Sequence, residues 1–299
     1  MFKSIASALI AASALAYTAP TQAQMDSVKE FDTVMKHYNR SYEVHKVKTD
    51  DDWELTLFRV MPGDVNQKTE RSVLFQHGLT MDAAGWLEST RAAQPEGSTE
   101  LPTFLRLADD GYDVWMGNSR ATNYSRVNAN FPYAEDISYY QYYVQQNKAK
   151  YDTDWADVGK SDVPAMLDKI TAESGNEKVT YVGFQAGGSA AIWGLATMEE
   201  QYAAKVDKAV LLAPAVYVTT AGIDFYNSIF PILRAELINL VLRPYYWNTD
   251  IRNVCEPPAG DVAVDERDTA CWFVKQLKGA PTTTKSFEHL HQIAITRRW

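Results

Sequence analysis

The sequence predicts an α/β protein with a mostly parallel sheet flanked by helices. Two observations carry this. Short apolar runs alternate with longer segments of helical period, and each run ends at or near Gly, Pro or Asn. Residues 42–49 and 53–60 alternate apolar and polar positions on either side of Asp50-Asp51-Asp52, which reads as a hairpin with one solvated face. The runs 72–76, 112–116, 179–183 and 209–213 are short and mostly apolar, as strands buried on both faces are. Helical patterns lie between them at 101–109, 155–173 and 188–199. Residues 131–151, crowded with tyrosines and without a clean period, read as an irregular surface excursion. From Thr219 the alternation stops. The apolar, aromatic stretch 223–248 and the helical segments after it form an expected helical cap.

Lys3, the apolar run 5–16 and the small-residue stretch Thr21-Gln22-Ala23 have the order of a secretory signal peptide, cut after Ala23 or, as second choice, Ala16. The run is shorter than the roughly 20 apolar residues a transmembrane helix needs. No later segment is long and apolar enough for a span. Residues 1–23 are therefore assigned to the signal, 24–218 to the core and 219–299 to the cap. The chain carries 29 basic and 38 acidic residues, a formal net charge of −9. The basic residues are scattered singly, which excludes a nucleic-acid surface.

The cysteines are Cys255 and Cys271. In an oxidising compartment they are expected to pair, the alternative being two free buried thiols. Asn39-Arg40-Ser41 and Asn123-Tyr124-Ser125 are acceptor sequons for N-glycosylation. Leader, cysteines and sequons together place the chain in the secreted or endolysosomal lumen.

Four motifs carry a resemblance. Phe75-Gln76-His77-Gly78-Leu79 and the run Gly111-Tyr112-Asp113-Val114-Trp115-Met116-Gly117-Asn118-Ser119-Arg120 are the first two. Trp155 to Ala165 (WADVGKSDVPA) and Leu212-Ala213-Pro214 follow in the same order. Together they resemble the acid lipases of the gastric and lysosomal type, from about Tyr42 to the end of the chain. The resemblance implies an α/β-hydrolase with a helical cap, acting on triacylglycerols and steryl esters without a cofactor. A lipid or acyl ester is the implied ligand, and the apolar cap a means of meeting a lipid interface.

Such chemistry needs a serine on a sharp strand-to-helix turn within G-x-S-x-G. It needs a histidine base oriented by an acid, and two N–H groups to hold the oxyanion. Gly183-Phe184-Gln185-Ala186-Gly187 has the two glycines at the required spacing, but Gln185 stands at the nucleophile position. An alternative alignment deletes the serine and matches Gln185 to the residue after it. In either case a carboxamide has no hydroxyl to activate. The resemblance maps the oxyanion donors to the N–H groups of Leu79 and Ala186. Ser189 reads as a packing residue, and Ser119 and His77 are structural by resemblance.

The family's acid and histidine follow the cap, whereas Glu288-His289-Leu290-His291-Gln292 resembles the cap's exit. The last sheet strands, with the triad acid and histidine, are therefore expected to be missing. His289 and His291 read as a surface helix rather than a metal pair. Three readings follow: a catalytically inactive acid-lipase relative that binds acyl ligands, an active lipase represented by an incomplete chain, or a non-enzymatic secreted protein using the fold for contacts.

Overall fold

The computed structural model describes residues 29–64, 69–79, 81–86, 101–122, 124–125, 127–128 and 153–216. The signal peptide, the tyrosine-rich stretch, the cap, Asn123, both cysteines, His289 and His291 lie outside these residues.

The described elements are α1 (Lys29–His37), β1 (Tyr42–Lys48), β2 (Trp53–Val60), β3 (Arg71–Gln76), α2 (Thr103–Asp109), β4 (Tyr112–Gly117) and β5 (Val127–Asn128). They continue with α3 (Trp155–Asp157), a π-helical turn (Val158–Asp162), α4 (Val163–Ser174), β6 (Val179–Phe184), α5 (Ala186–Thr197), α6 (Glu199–Lys205) and β7 (Val206–Leu212). Strand order in the sheet is β1-β2-β4-β3-β6-β7, with β5 paired to β2. The β1/β2 and β2/β4 pairs are antiparallel. The β3/β4, β3/β6 and β6/β7 pairs are parallel. This is the mostly parallel α/β sheet the sequence predicts. Helix α1 was not expected from the sequence.

Alternation along the strands separates two cores, one on each face. On one face Val73 and Phe75 of β3, Val114 and Met116 of β4 and Phe58 of β2 pack with Phe31 of α1 and Phe104 of α2. On the other, Leu74, Trp115, Leu55 and Tyr181 pack with Met166, Leu167 and Ile170 of α4. Each side chain so buried contributes roughly 1.5–3 kcal/mol relative to exposure.

Two strand expectations are corrected. The hairpin was expected to solvate one face, but β2 is buried on both, because α1 covers one side and Trp115 and α4 the other. Solvent exposure falls on β1 instead. Conversely, β7 was expected to be buried on both faces and is not: Val210 and Leu212 are 44% and 42% exposed. Its sheet partner is β6, and among the described residues no strand pairs its other side.

The parallel strands place four loops at their carboxyl ends, where crevices form in such sheets. These loops carry His77 to Leu79 after β3, Asn118 to Arg120 after β4, Gln185 after β6, and Ala213 and Pro214 after β7.

Candidate functional site

The turn between β6 and α5 is a sharp elbow. Gln185 adopts φ 48°, ψ −111°, a conformation that L residues rarely hold. It persists because its neighbours over-determine it. The Gln185 N–H donates to the Leu212 carbonyl at 2.9 Å, continuing the ladder onto β7. The Gln185 carbonyl accepts from the Ser189 N–H at 3.0 Å and from the Ser189 hydroxyl at 3.2 Å. Glycines make the close approach feasible. A Cβ on Gly187 would stand 2.5 Å from the Gln76 carbonyl oxygen and 2.6 Å from that of His77. One on Gly183 would stand 2.8 Å from the Gly187 backbone.

Gln185 itself occupies the strained apex between strand and helix, the place where the motif presents its nucleophile. Ser189 is fully buried with its hydroxyl committed to the backbone one turn back, so it faces no substrate. Leu79 and Ala186 both pack against the cluster of Trp155 and Ala190.

The Gln185 side chain does not point idly outward. Its Oε1 accepts a hydrogen bond from the Leu79 N–H at 2.7 Å, across 106 residues of sequence. Gly78 permits this, since a Cβ there would meet Oε1 at 2.8 Å. A backbone N–H requires an acceptor, so the amide orientation is settled: Oε1 faces Leu79 and Nε2 faces away.

His77 is buried and neutral. Its Nδ1 bonds to the Gly78 carbonyl at 2.8 Å and must therefore carry the proton. Its Nε2 then accepts from the Ser119 N–H at 3.0 Å. Both nitrogens are spent on backbone, and burial holds the imidazole down to about 4. It cannot serve as a base for the elbow. Ser119 receives Gln76 Nε2 at 2.6 Å and so stays inside the same scaffold.

One buried ion cluster escaped the sequence reading. Arg120 donates from its main-chain N and its Nε to Asp162 at 2.8 Å each, while its other nitrogens bond to Asp51 at 2.5 and 2.9 Å. The guanidinium also lies over the Trp53 ring, 5.6 Å from its centroid. Burial disfavours ionised Asp51, but its bonds to Arg120 and Thr49 outweigh this and hold its carboxyl below the usual range. The GNSR and WADVGKSDVPA motifs carried the only sequence signal for this cluster. Asn39 is exposed in the left-handed conformation that ends α1 (φ 51°), a common role for Asn.

Among the described residues no helix is long and apolar enough to cross a membrane. Residues 31–90 match the family model of a partial alpha/beta-hydrolase lipase region, and residues 71–289 match that of the alpha/beta hydrolase fold. Lipase 1 of Drosophila melanogaster is 28% identical over 233 residues, 78% of this chain and 47% of that protein. Gastric triacylglycerol lipase of Mus musculus is 31% identical over 215 residues, 69% of this chain and 48% of that protein. An esterase from Exiguobacterium antarcticum superposes with a TM-score of 0.45 at 13% identity, covering 82% of this chain and 71% of its own, too loosely to add to the assignment. The chain spans less than half the length of these lipases. With strand order, elbow and sequence match in agreement, the chain belongs to the α/β-hydrolase fold family, and lipases are its relatives.

Proposed function

We propose that this chain is a secreted acid-lipase-like protein of lipid metabolism that binds acyl ligands but does not hydrolyse them. The observation that carries this is Gln185 at the apex of the elbow, with its Oε1 seated on the Leu79 N–H. Hydrolysis needs an oxygen nucleophile there and a base beside it. Removing the nucleophile of such a unit costs roughly 10⁶-fold in kcat. His77 is no substitute base, since its Nε2 already accepts from Ser119. The Leu79 and Ala186 N–H groups are the proposed oxyanion donors. Both are backbone groups, so the loss of serine leaves them in the chain, but the Leu79 N–H is taken up by Gln185 Oε1. Support for the lipid ligand comes from the relatives, one of them a gastric triacylglycerol lipase.

In this reading residues 1–23 are a signal peptide, 24–218 the hydrolase core and 219–299 the cap that covers the acyl ligand. Cys255 and Cys271 are bridged within the cap, and Asn39 and Asn123 carry glycans in the secreted or endolysosomal lumen. A closed loop of this size contributes on the order of 3 kcal/mol. The test is incubation of the purified protein with short and long acyl esters and with a serine-directed phosphonate. Neither turnover nor labelling is expected. Labelling of a single serine together with matching hydrolysis overturns the proposal.

A further inference from the structure

The carboxamide at the elbow does more than remove a nucleophile. Its oxygen is held by the Leu79 N–H at 2.7 Å, which leaves Nε2 on the opposite side. Among the described residues Nε2 meets no hydrogen-bond acceptor, and Gln185 is only half-buried. The elbow therefore presents two N–H donors where its relatives' motif presents a hydroxyl. The Leu79 bond polarises the amide and strengthens those donors. The strained backbone, pinned at Leu212 and Ser189, fixes the direction in which they point.

We infer that Gln185 makes the elbow a receptor for a carboxylate, the free acid end of an acyl chain. This rests on the acyl-ligand reading above and names its chemistry. An ester carbonyl is also an acceptor, but a carboxylate forms charge-assisted bonds roughly twice as strong as neutral ones. It also lies at the amino end of the 12-residue helix α5, whose dipole favours an anion. The Leu79 N–H acts through Gln185 rather than on the ligand. Its donor capacity is relayed outward by one amide.

The experiment measures binding of laurate and methyl laurate to the full chain, the Gln185→Glu variant and the Gln185→Leu variant. Glu keeps an oxygen on Leu79 but turns an acceptor outward, while Leu keeps bulk and offers neither group. The unaltered protein is expected to bind laurate at least 10-fold more tightly than its methyl ester. Gln185→Glu is expected to lose at least 10-fold for laurate and little for the ester, and Gln185→Leu to bind the two alike. Unchanged laurate affinity in both variants overturns the carboxylate receptor while leaving the acyl-ligand reading in place. Binding of neither compound by the unaltered protein overturns both.

Discussion

At the scale of single residues, the site is governed by which hydrogen-bonding atoms are already spent. His77 shows this most clearly. Its ordinary pKa is 6.5, and burial, only partly offset by the Gly78 carbonyl, lowers it to about 4. The unfolded chain therefore binds a proton at His77 that the folded chain refuses between those values. Folding stability is fully present above about pH 6.5 and is lost as pH falls toward 4, by about 3 kcal/mol in all. Denaturant unfolding at pH 7 and at pH 4.5 reads this directly. In a His77→Gln variant, which keeps an acceptor but does not titrate, the loss across that window is expected to be smaller by most of that amount. Equal losses in the two proteins would sink the assignment.

At the scale of elements, the elbow exists because β6, α5 and the end of β3 approach more closely than any side chain allows. The atoms crowding Gly187 are backbone carbonyls, which cannot swing aside. Gly187→Ala is expected to destabilise the fold by about 2–3 kcal/mol, although alanine is intrinsically better in a helix by about 1 kcal/mol. Gly175→Ala provides the contrast. Gly175 caps α4 at φ 73° with open space around it, so the cost there is backbone strain alone, about 1 kcal/mol. If denaturant melts show Gly187→Ala to be the milder change, close packing is not what shapes the elbow.

At the scale of the whole molecule, Arg120 ties distant parts to the back of the site. Asp51 belongs to the β1–β2 turn, and Asp162 ends the π-helical turn. That turn packs on α5, with Gly159 so close that a Cβ would stand 2.5 Å from the Ala190 carbonyl oxygen. The Arg120 and Asp162 side chains are 4% and 0% exposed. Removing the cation alone strands a buried carboxylate, so Arg120→Met is expected to cost about 3–5 kcal/mol. Adding Asp162→Asn removes the stranded charge and should recover at least about 1 kcal/mol of that loss. Strict additivity of the two substitutions in equilibrium unfolding would show that the pair does not act as a unit.

Much of this architecture was legible in the residues themselves. The mostly apolar runs at 72–76, 112–116 and 179–183 became β3, β4 and β6, because strands covered on both faces need apolar side chains on each. The spacing of Gly183 and Gly187 announced the elbow, and Gln185 announced the missing hydroxyl. What the residues could not reveal depends on neighbours far away in sequence. Whether β2 or β1 is the covered strand was decided by α1 and α4 packing on it. Whether β7 is buried was decided by what flanks it in the sheet, not by its own apolar pattern. The donor that occupies His77 Nε2 was supplied by Ser119, 42 residues on. The direction of the Gln185 amide was decided by Leu79, 106 residues away. Periodicity is a local property and survives in one dimension. The partner of a hydrogen bond is settled only when the tertiary fold has brought donor and acceptor within 3 Å of each other.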